Sequence, residues 1–526
     1  METPTMLDLN DLNVPFIAAT ALAVSLAWTI HAFRQTKFHA SRRYRALEMP
    51  EKTLPVVGNI LDIVLNGDRV HDWVLENTVR VQGRPWKFNL LGLHEMIVVT
   101  TPDAIEEVMA TQFTNFVKGK FQIDILSGIF GRGVVMSDGE RWYHQRKTVV
   151  KFFSAKVLDL FMRQSIQKNM FRLHDVIEQA INTRERIDLK ELFHDFTIDT
   201  FVEMSLGVEL KSIGATEHHP FNEGLEVASN IVAGRFQRAE FVWKAERFLN
   251  IGDEGKLKHH MGIVYAWMHE VIQQSVERSI QAKQSGVASM DKKCKSLIEL
   301  FLEHSEEDRE GLKEEDFVDF ILTLVIGARD TTADTLSWLF YALSKHPEVE
   351  AKLRDELKRE LPSDTSTYLT MEHLKPLVYL EAVIKETLRL YPAGAFIFRE
   401  AVEDTVISGD ILVRKGQHVV MPTYTIGRNP VVWGSDAATF RPERWIDEAT
   451  GQIKPESPFK FFTFTAGPRI CAGINLAMMQ LRIVTANLLQ RFRFDVDATN
   501  DGSYRMGVTL TMKHPLVALP RMVDGG

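Results

Sequence analysis

The stretch Phe464-Thr465-Ala466-Gly467-Pro468-Arg469-Ile470-Cys471-Ala472-Gly473 constrains this chain more than any other, because it sets a cysteine just ahead of a long helical pattern starting near Ile474. From Ile474 to Phe492 apolar residues recur with the period of an amphipathic helix. A helix N-terminus carries unpaired amides and the positive end of the dipole, which together stabilise a thiolate. Cys471 is therefore suited to be an anionic metal ligand. Gly467 and Gly473 let the backbone pass closely under a flat cofactor, Arg469 offers paired donors for a carboxylate, and Phe464 can pack beside the sulfur.

Cys471 has only one companion, Cys294, so a disulfide scaffold is excluded and a reducing compartment is favoured for the body of the chain. Cys294 lies in the polar stretch 284–297 and reads as a surface-loop thiol with no assigned role. A net charge of -8 argues against a general nucleic-acid binder, and no RNA or DNA motif occurs. Across 526 residues there is no repeat of fixed period and no low-complexity linker longer than 284–297. One large catalytic domain, residues 60–526, is the simplest organisation.

Upstream, VPFIAATALAVSLAWTI from Val14 to Ile30 is uncharged and near the lower length limit for crossing a bilayer. Asp8 and Asp11 precede it, while Arg34, Lys37, Arg42, Arg43 and Arg45 follow. This asymmetry predicts a transmembrane anchor at 14–30 with residues 1–13 lumenal and the body in the cytosol. A cleaved signal peptide would place its basic residues first. Residues 31–59 form a basic and proline-containing linker, ending in Pro50, Pro55 and Asn59.

The body reads as mainly α, a large helical domain with a small β-rich region. Short strands are predicted at Lys87–Leu90 and Met96–Val99, forming a hairpin, and a second pair is expected to flank Gly416. The helical run 316–344 lacks proline yet holds the polar cluster Arg329-Asp330-Thr331-Thr332. There Thr331 can bond back to the carbonyl of Gly327 and open the helix locally. Glu386 and Arg389 lie three apart on one helix face, and Trp142 and Arg146 lie four apart on another, where both reach one carboxylate.

The cysteine stretch resembles the signature Phe-x-x-Gly-x-Arg-x-Cys-x-Gly of the cytochrome P-450 superfamily at every specified position. That resemblance implies the cytochrome P-450 fold and a heme b whose iron is held by Cys471, with Phe464, Gly467, Arg469 and Gly473 around it. It implies further that Trp142, Arg146 and Arg399 hold the heme propionates. Glu386, Arg389 and Arg444 would form a structural network, the last from Phe440-Arg441-Pro442-Glu443-Arg444-Trp445. Asp330 and Thr331 match the acid and threonine that deliver protons to iron-bound dioxygen. One departure is Ala328, where the family usually has glycine, which narrows the groove.

The segments 115–120 and 131–142 look like the fatty-acid-hydroxylating branch. The resemblance implies insertion of one oxygen atom into a long-chain lipid at or near its terminal carbon, with electrons from NADPH through NADPH-cytochrome P-450 reductase, at the endoplasmic reticulum membrane. Phe121, Phe130, Phe396, Phe398 and Leu510 fall in segments that line the substrate channel of such enzymes, and Lys147, Lys151 and Lys460 could contribute a docking face for the reductase. A sterol hydroxylase, a reductase-independent hydroperoxide isomerase or lyase, and a heme sensor are the alternatives. The last two leave the Asp330-Thr331 pair without a task.

Overall fold

The helical periodicity and the few alternating stretches resolve into a mainly helical body with small sheets in the computed structural model, which describes residues 44–54, 57–90, 95–153, 155–284, 314–364 and 369–523, with 296 and 298 between. The apolar run 14–30 and Cys294 lie outside the described residues, and among those described no helix is long and apolar enough to cross a membrane.

Two helices, α1 (Ile60–Leu65) and α2 (Val70–Arg80), lead into the predicted hairpin of β1 (Trp86–Phe88) and β2 (Met96–Val98), in which Trp86 faces Val98 and Phe88 faces Met96. The chain continues through β3 (Phe116–Val117), α3 (Lys120–Phe130), α4 (Gly139–Phe152), α5 (Ala155–Thr183) and β4 (Ile187–Asp188). Then come α6 (Leu189–Leu206), α7 (Pro220–Gly234), α8 (Glu240–Leu249) and α9 (Gly252–Gln284). Helix α6 starts where the Asp188 side chain accepts from the Lys190 amide at 2.9 Å and stops at Gly207, whose φ of 71° is left-handed.

The proline-free run forms α10 (Glu314–Lys345), which packs principally against α6. Its Phe320, Leu322, Val325, Leu336 and Leu339 are buried, so the polar cluster sits in the middle of the core. After α11 (Val378–Leu390) come β5 (Ile397–Ala401), β6 (Thr405–Ile407), β7 (Ile411–Val413) and β8 (His418–Met421). The last part holds α12 (Ile474–Arg491), β9 (Phe492–Val496), β10 (Tyr504–Arg505), β11 (Thr511–Met512) and β12 (Val517–Met522).

Strands do flank Gly416, but they do not pair with each other: β7 pairs with β6, and β8 lies between β2 and β5 in the five-stranded order β1-β2-β8-β5-β3. The reason lies in the turn. The Gly416 amide donates to the Ala401 carbonyl at 2.7 Å and the Ala401 amide to the Gln417 carbonyl at 3.0 Å, so the turn is already bonded to β5 when β8 begins. β8 runs parallel to β2 and antiparallel to β5.

Candidate heme-thiolate site

Helix α12 begins three residues beyond Cys471, as its periodicity predicts. The loop before it is closed on itself. The Cys471 amide donates to the Phe464 carbonyl at 2.9 Å, the Ile470 amide to Gly467 at 3.1 Å, and the Thr465 hydroxyl to the Arg469 carbonyl at 2.7 Å. Gly467 has φ +64°, and a Cβ there would lie 2.2 Å from the Met109 carbonyl oxygen, so the loop can pass only as glycine. The thiol of Cys471 is free and presents open surface. Protein nevertheless surrounds it at longer range, and that burial pushes its pKa up, opposed by the Gly473 amide and the Arg146 guanidinium. The two opposing groups favour a thiolate, the form a metal needs.

Around this thiol the fold assembles a buried positive group. Arg399, on β5, is 1% exposed and donates from Nη1 to the Phe398 carbonyl at 2.7 Å. Arg469 donates to the Ser137 carbonyl at 3.0 Å, pairs with Asp138, and stacks 4.5 Å from the Trp142 ring. Its buried Nε has no partner. Lys118 joins them between β3 and α3, and sequence reasoning missed it; the only local signal is a charge following the buried strand residue Phe116. Burial and mutual repulsion with Arg469 push Arg399 down to about 9, and burial, Arg399 and Arg469 push Lys118 well below its ordinary range. Asp138 alone among the described residues acts on both as a carboxylate. Arg146 completes the set on α4, held down by burial and raised by Cys471.

A cation group short of anions, with an orphaned guanidinium nitrogen and a free thiol beside it, fits a flat ligand that carries two carboxylates and a metal. Heme has that chemistry, and the residues fit it.

The back-bond predicted in the central helix forms, while α10 stays continuously helical from Glu314 to Lys345. The Thr331 hydroxyl donates to the Gly327 carbonyl at 2.7 Å, and Gly327 is exposed in the middle of an otherwise buried helix, with nothing within 4 Å of where a Cβ would stand. Asp330 turns elsewhere. Its Oδ1 lies 3.4 Å from Arg329 Nε and 3.6 Å from His194 Nδ1 on α6. Burial would raise its pKa, but Arg329 and His194 outweigh that and lower it.

The network of Glu386, Arg389 and Arg444 is assembled in full. Arg389 makes two bonds of 2.8 Å to Glu386, and Arg444 Nε makes a third at 2.8 Å. Trp445 Nε1 at 2.9 Å and the Arg441 amide at 2.8 Å add donors that the motif spacing did not reveal. Both glutamate oxygens are thereby saturated, which offsets the desolvation of a fully buried charge. Phe121, Phe396 and Phe398 form one aromatic group, with Phe121 and Phe396 at 6.2 and 5.9 Å from Phe398. Phe130 and Leu510 are buried in the main core, against which Phe121 also packs, and their carbonyls accept from Thr323 at 3.1 Å and Trp338 at 2.7 Å. Among the lysines, Lys460 pairs with Glu456 at 3.0 Å, while Lys147 and Lys151 lie exposed on α4.

A thiol loop leading into a helix, a buried cation group and a central helix back-bonded at Thr331 define a heme-thiolate enzyme. Comparison with known proteins agrees: residues 49–518 match the family Cytochrome P450. The chain is 32% identical over 478 residues to Cytochrome P450 704C1 of Pinus taeda, covering 87% of this chain and 90% of that one. It is 32% identical over 501 residues to Cytochrome P450 704B1 of Arabidopsis thaliana, covering 88% and 93%. To Cytochrome P450 86B1 of the same plant it is 30% identical over 515 residues, covering 94% and 88%. The chain belongs to the cytochrome P450 family. It is a heme monooxygenase that carries heme b and takes electrons from NADPH through a reductase.

Proposed function

We propose that the enzyme hydroxylates a long-chain fatty acid at or near its terminal carbon while anchored in the endoplasmic reticulum membrane with its catalytic body in the cytosol. The aromatic group of Phe121, Phe396 and Phe398 carries this reading, because apolar rings on and against the strand that also bears Arg399 suit an extended hydrocarbon. The likeness of segments 115–120 and 131–142 to the fatty-acid-hydroxylating branch supports it. Heme bound to a thiolate supplies the oxygen activation that places one oxygen atom into a carbon–hydrogen bond.

The chain's own residues have these tasks. Cys471 would hold the iron, and the Gly473 amide and Arg146 oppose the burial that raises its thiol pKa. Lys118, Trp142, Arg146, Arg399 and Arg469 would hold the propionates, which would supply the anions this group lacks. Thr331, tied to the Gly327 carbonyl, would stand beside the site of oxygen activation, and Asp330 would bring the proton. Electrons arrive from NADPH-cytochrome P-450 reductase, with Lys147 and Lys151 on the docking face.

Membrane placement rests on the apolar run 14–30. It is supported by bare apolar side chains on the body: Phe241, Phe248, Leu249 and Ile251 around α8, and Leu61, Val64 and Leu65 on α1. Gln237, just ahead of α8, donates to the Gly67 carbonyl just beyond α1 at 3.4 Å, which brings the two elements to one side of the molecule.

Titrating the purified enzyme with fatty acids and sterols, reading the iron spin state, and identifying products by mass spectrometry tests the substrate class. Fatty acids should shift the spectrum and yield terminal or near-terminal alcohols. Shifts with sterols alone would overturn it.

A further inference from the structure

Phe464, Ile470 and Ile474, from the thiol loop and the start of α12, form one wall of an open cavity of about 820 Å³. Met371, from the short helix Met371–Leu374, and Met478 and Met479 of α12 line it as well. Ile474, Met478 and Arg482 recur every four residues, so one face of α12 lies along the cavity, while Leu481, Ile483 and Val484 are buried in the main core. All three methionines pack against that core from outside and stay half-buried. Most of the other described methionines, Met109, Met204 and Met268 among them, are sealed inside. The core therefore has an uncovered, methionine-lined edge one loop away from Cys471, whose amide donates to the Phe464 carbonyl at 2.9 Å.

The charges at this cavity are matched. Arg482 Nη2 holds Glu381 of α11 at 2.6 Å, and Lys460 holds Glu456 at 3.0 Å. One donor is left over, because Arg482 Nε is buried without a partner. It stands one helical turn on from Met478, on the same face of α12. A thioether sulfur is a weak acceptor, whereas oxidation turns the side chain polar and adds an oxygen. Oxidised Met478 would thus offer Arg482 an acceptor that the unmodified side chain does not.

We propose that Met371, Met478 and Met479 are a modification site, at which hydrogen peroxide from futile turnover makes methionine sulfoxide and thereby slows electron entry at the thiol loop. The inference needs only the heme monooxygenase class, not the lipid substrate. When dioxygen takes up two electrons and two protons and no oxygen is inserted, the product is hydrogen peroxide. At each methionine the peroxide O–O bond breaks and one oxygen joins the sulfur, which is oxidised by two electrons; the other oxygen leaves as water with both protons. A reductase seated over the cavity has only the thiol loop between itself and the sulfur of Cys471. Sulfoxide oxygens there replace an apolar, adaptable surface with a polar one, which weakens that seat. An enzyme wasting NADPH would so reduce its own electron supply, and reversibly, because sulfoxides are reduced back enzymatically.

The test turns over the full-length enzyme with its reductase on NADPH without substrate, with and without catalase, then separates it and assays it with fresh reductase. Sulfoxide at each methionine is mapped by peptide mass spectrometry, and rates are taken per heme that retains the red-shifted carbon monoxide spectrum. Without catalase, all three methionines should be oxidised and the half-saturating reductase concentration should rise about 3- to 10-fold, with the substrate-binding spectrum unchanged. Methionine sulfoxide reductases should reverse that rise. A Met371→Leu, Met478→Leu, Met479→Leu triple variant, which conserves volume, should change by under about 2-fold, whereas Met522→Leu, at an exposed methionine on β12, should behave as wild type. Oxidation of Met522 while the three stay intact would overturn the inference. So would an equal rise in the triple variant, or sulfoxide at the three with no rise. If the triple variant fails to fold, wild type alone decides, because a rise that persists after the sulfoxides are removed has another cause.

Discussion

Gly467 and Gly473 flank the same thiol, yet they are not equivalent. A methyl group on Gly467 would press on the Met109 carbonyl and sit at positive φ, whereas one on Gly473 would meet only the sulfur, at 3.9 Å. The left-handed conformation alone costs a non-glycine residue ~1–2 kcal/mol. Gly467→Ala should therefore lower the urea midpoint clearly, and Gly473→Ala should change it much less. His194 has a signature of its own. Its folded pKa of about 9 lies above the ordinary 6.5, so its stabilisation is complete below pH 6.5 and disappears as pH rises through about 9. The melting-temperature gap between wild type and His194→Gln should be widest near pH 6 and close by pH 10. The opposite slope would mean the imidazole is neutral in the folded protein. Cys471, Gly467 and Arg469 were legible because their chemistry is local. Lys118 and His194 were not, since each acquires its meaning from a residue far along the chain, Arg399 or Asp330.

At the scale of elements, α11 depends on one carboxylate. Glu386 accepts from Arg389, Arg444, Trp445 and the Arg441 amide, so Glu386→Ala leaves the buried Arg389 guanidinium without its anion, while Arg444 keeps Asp436 at 3.2 Å. Breaking such a pair costs ~3–5 kcal/mol, enough to unfold much of the protein in a urea titration. Survival with a loss under ~1 kcal/mol would show that the carbonyls of Ala437 and Thr439 suffice for Arg389. The back-bonded turn of α10 is milder. Ala328→Gly should destabilise by ~1 kcal/mol through helix propensity while widening the groove beside Thr331, seen as a changed product distribution. Helices were read well because period and proline content are local properties. The β-strand partners near Gly416 were not, because a turn's hydrogen bonds to Ala401 decide them.

For the molecule as a whole, the bare apolar side chains around α8 make a prediction separate from the proposed anchor. Phe248 is 88% exposed, an arrangement that costs nothing only if lipid or another apolar surface covers it. A chain lacking residues 1–43 should still sediment in part with phospholipid vesicles, and Phe241→Ser with Phe248→Ser should release it. Full release by truncation alone would assign membrane contact to the first segment only. The general architecture was legible from helical pattern and signature together; the exposed face was not, because exposure is a property of packing and not of order along the chain.

The five-stranded sheet also imposes a schedule. Phe116 pairs with Ala401, and Met96 lies beside His418, so the early strands wait for partners made roughly 300 residues later, tens of seconds at ~5–20 residues per second. Cys471 emerges later still, after both halves of the positive group have been translated. A nascent chain halted before residue 397 would hold Lys118 and Trp142 but neither Arg399 nor the thiol, and so could not capture heme. Prosthetic-group loading in this protein therefore waits until Arg399 and Cys471 have both been made, and its β1–β2 hairpin, without β8 beside it, is the part that most needs shelter on the ribosome.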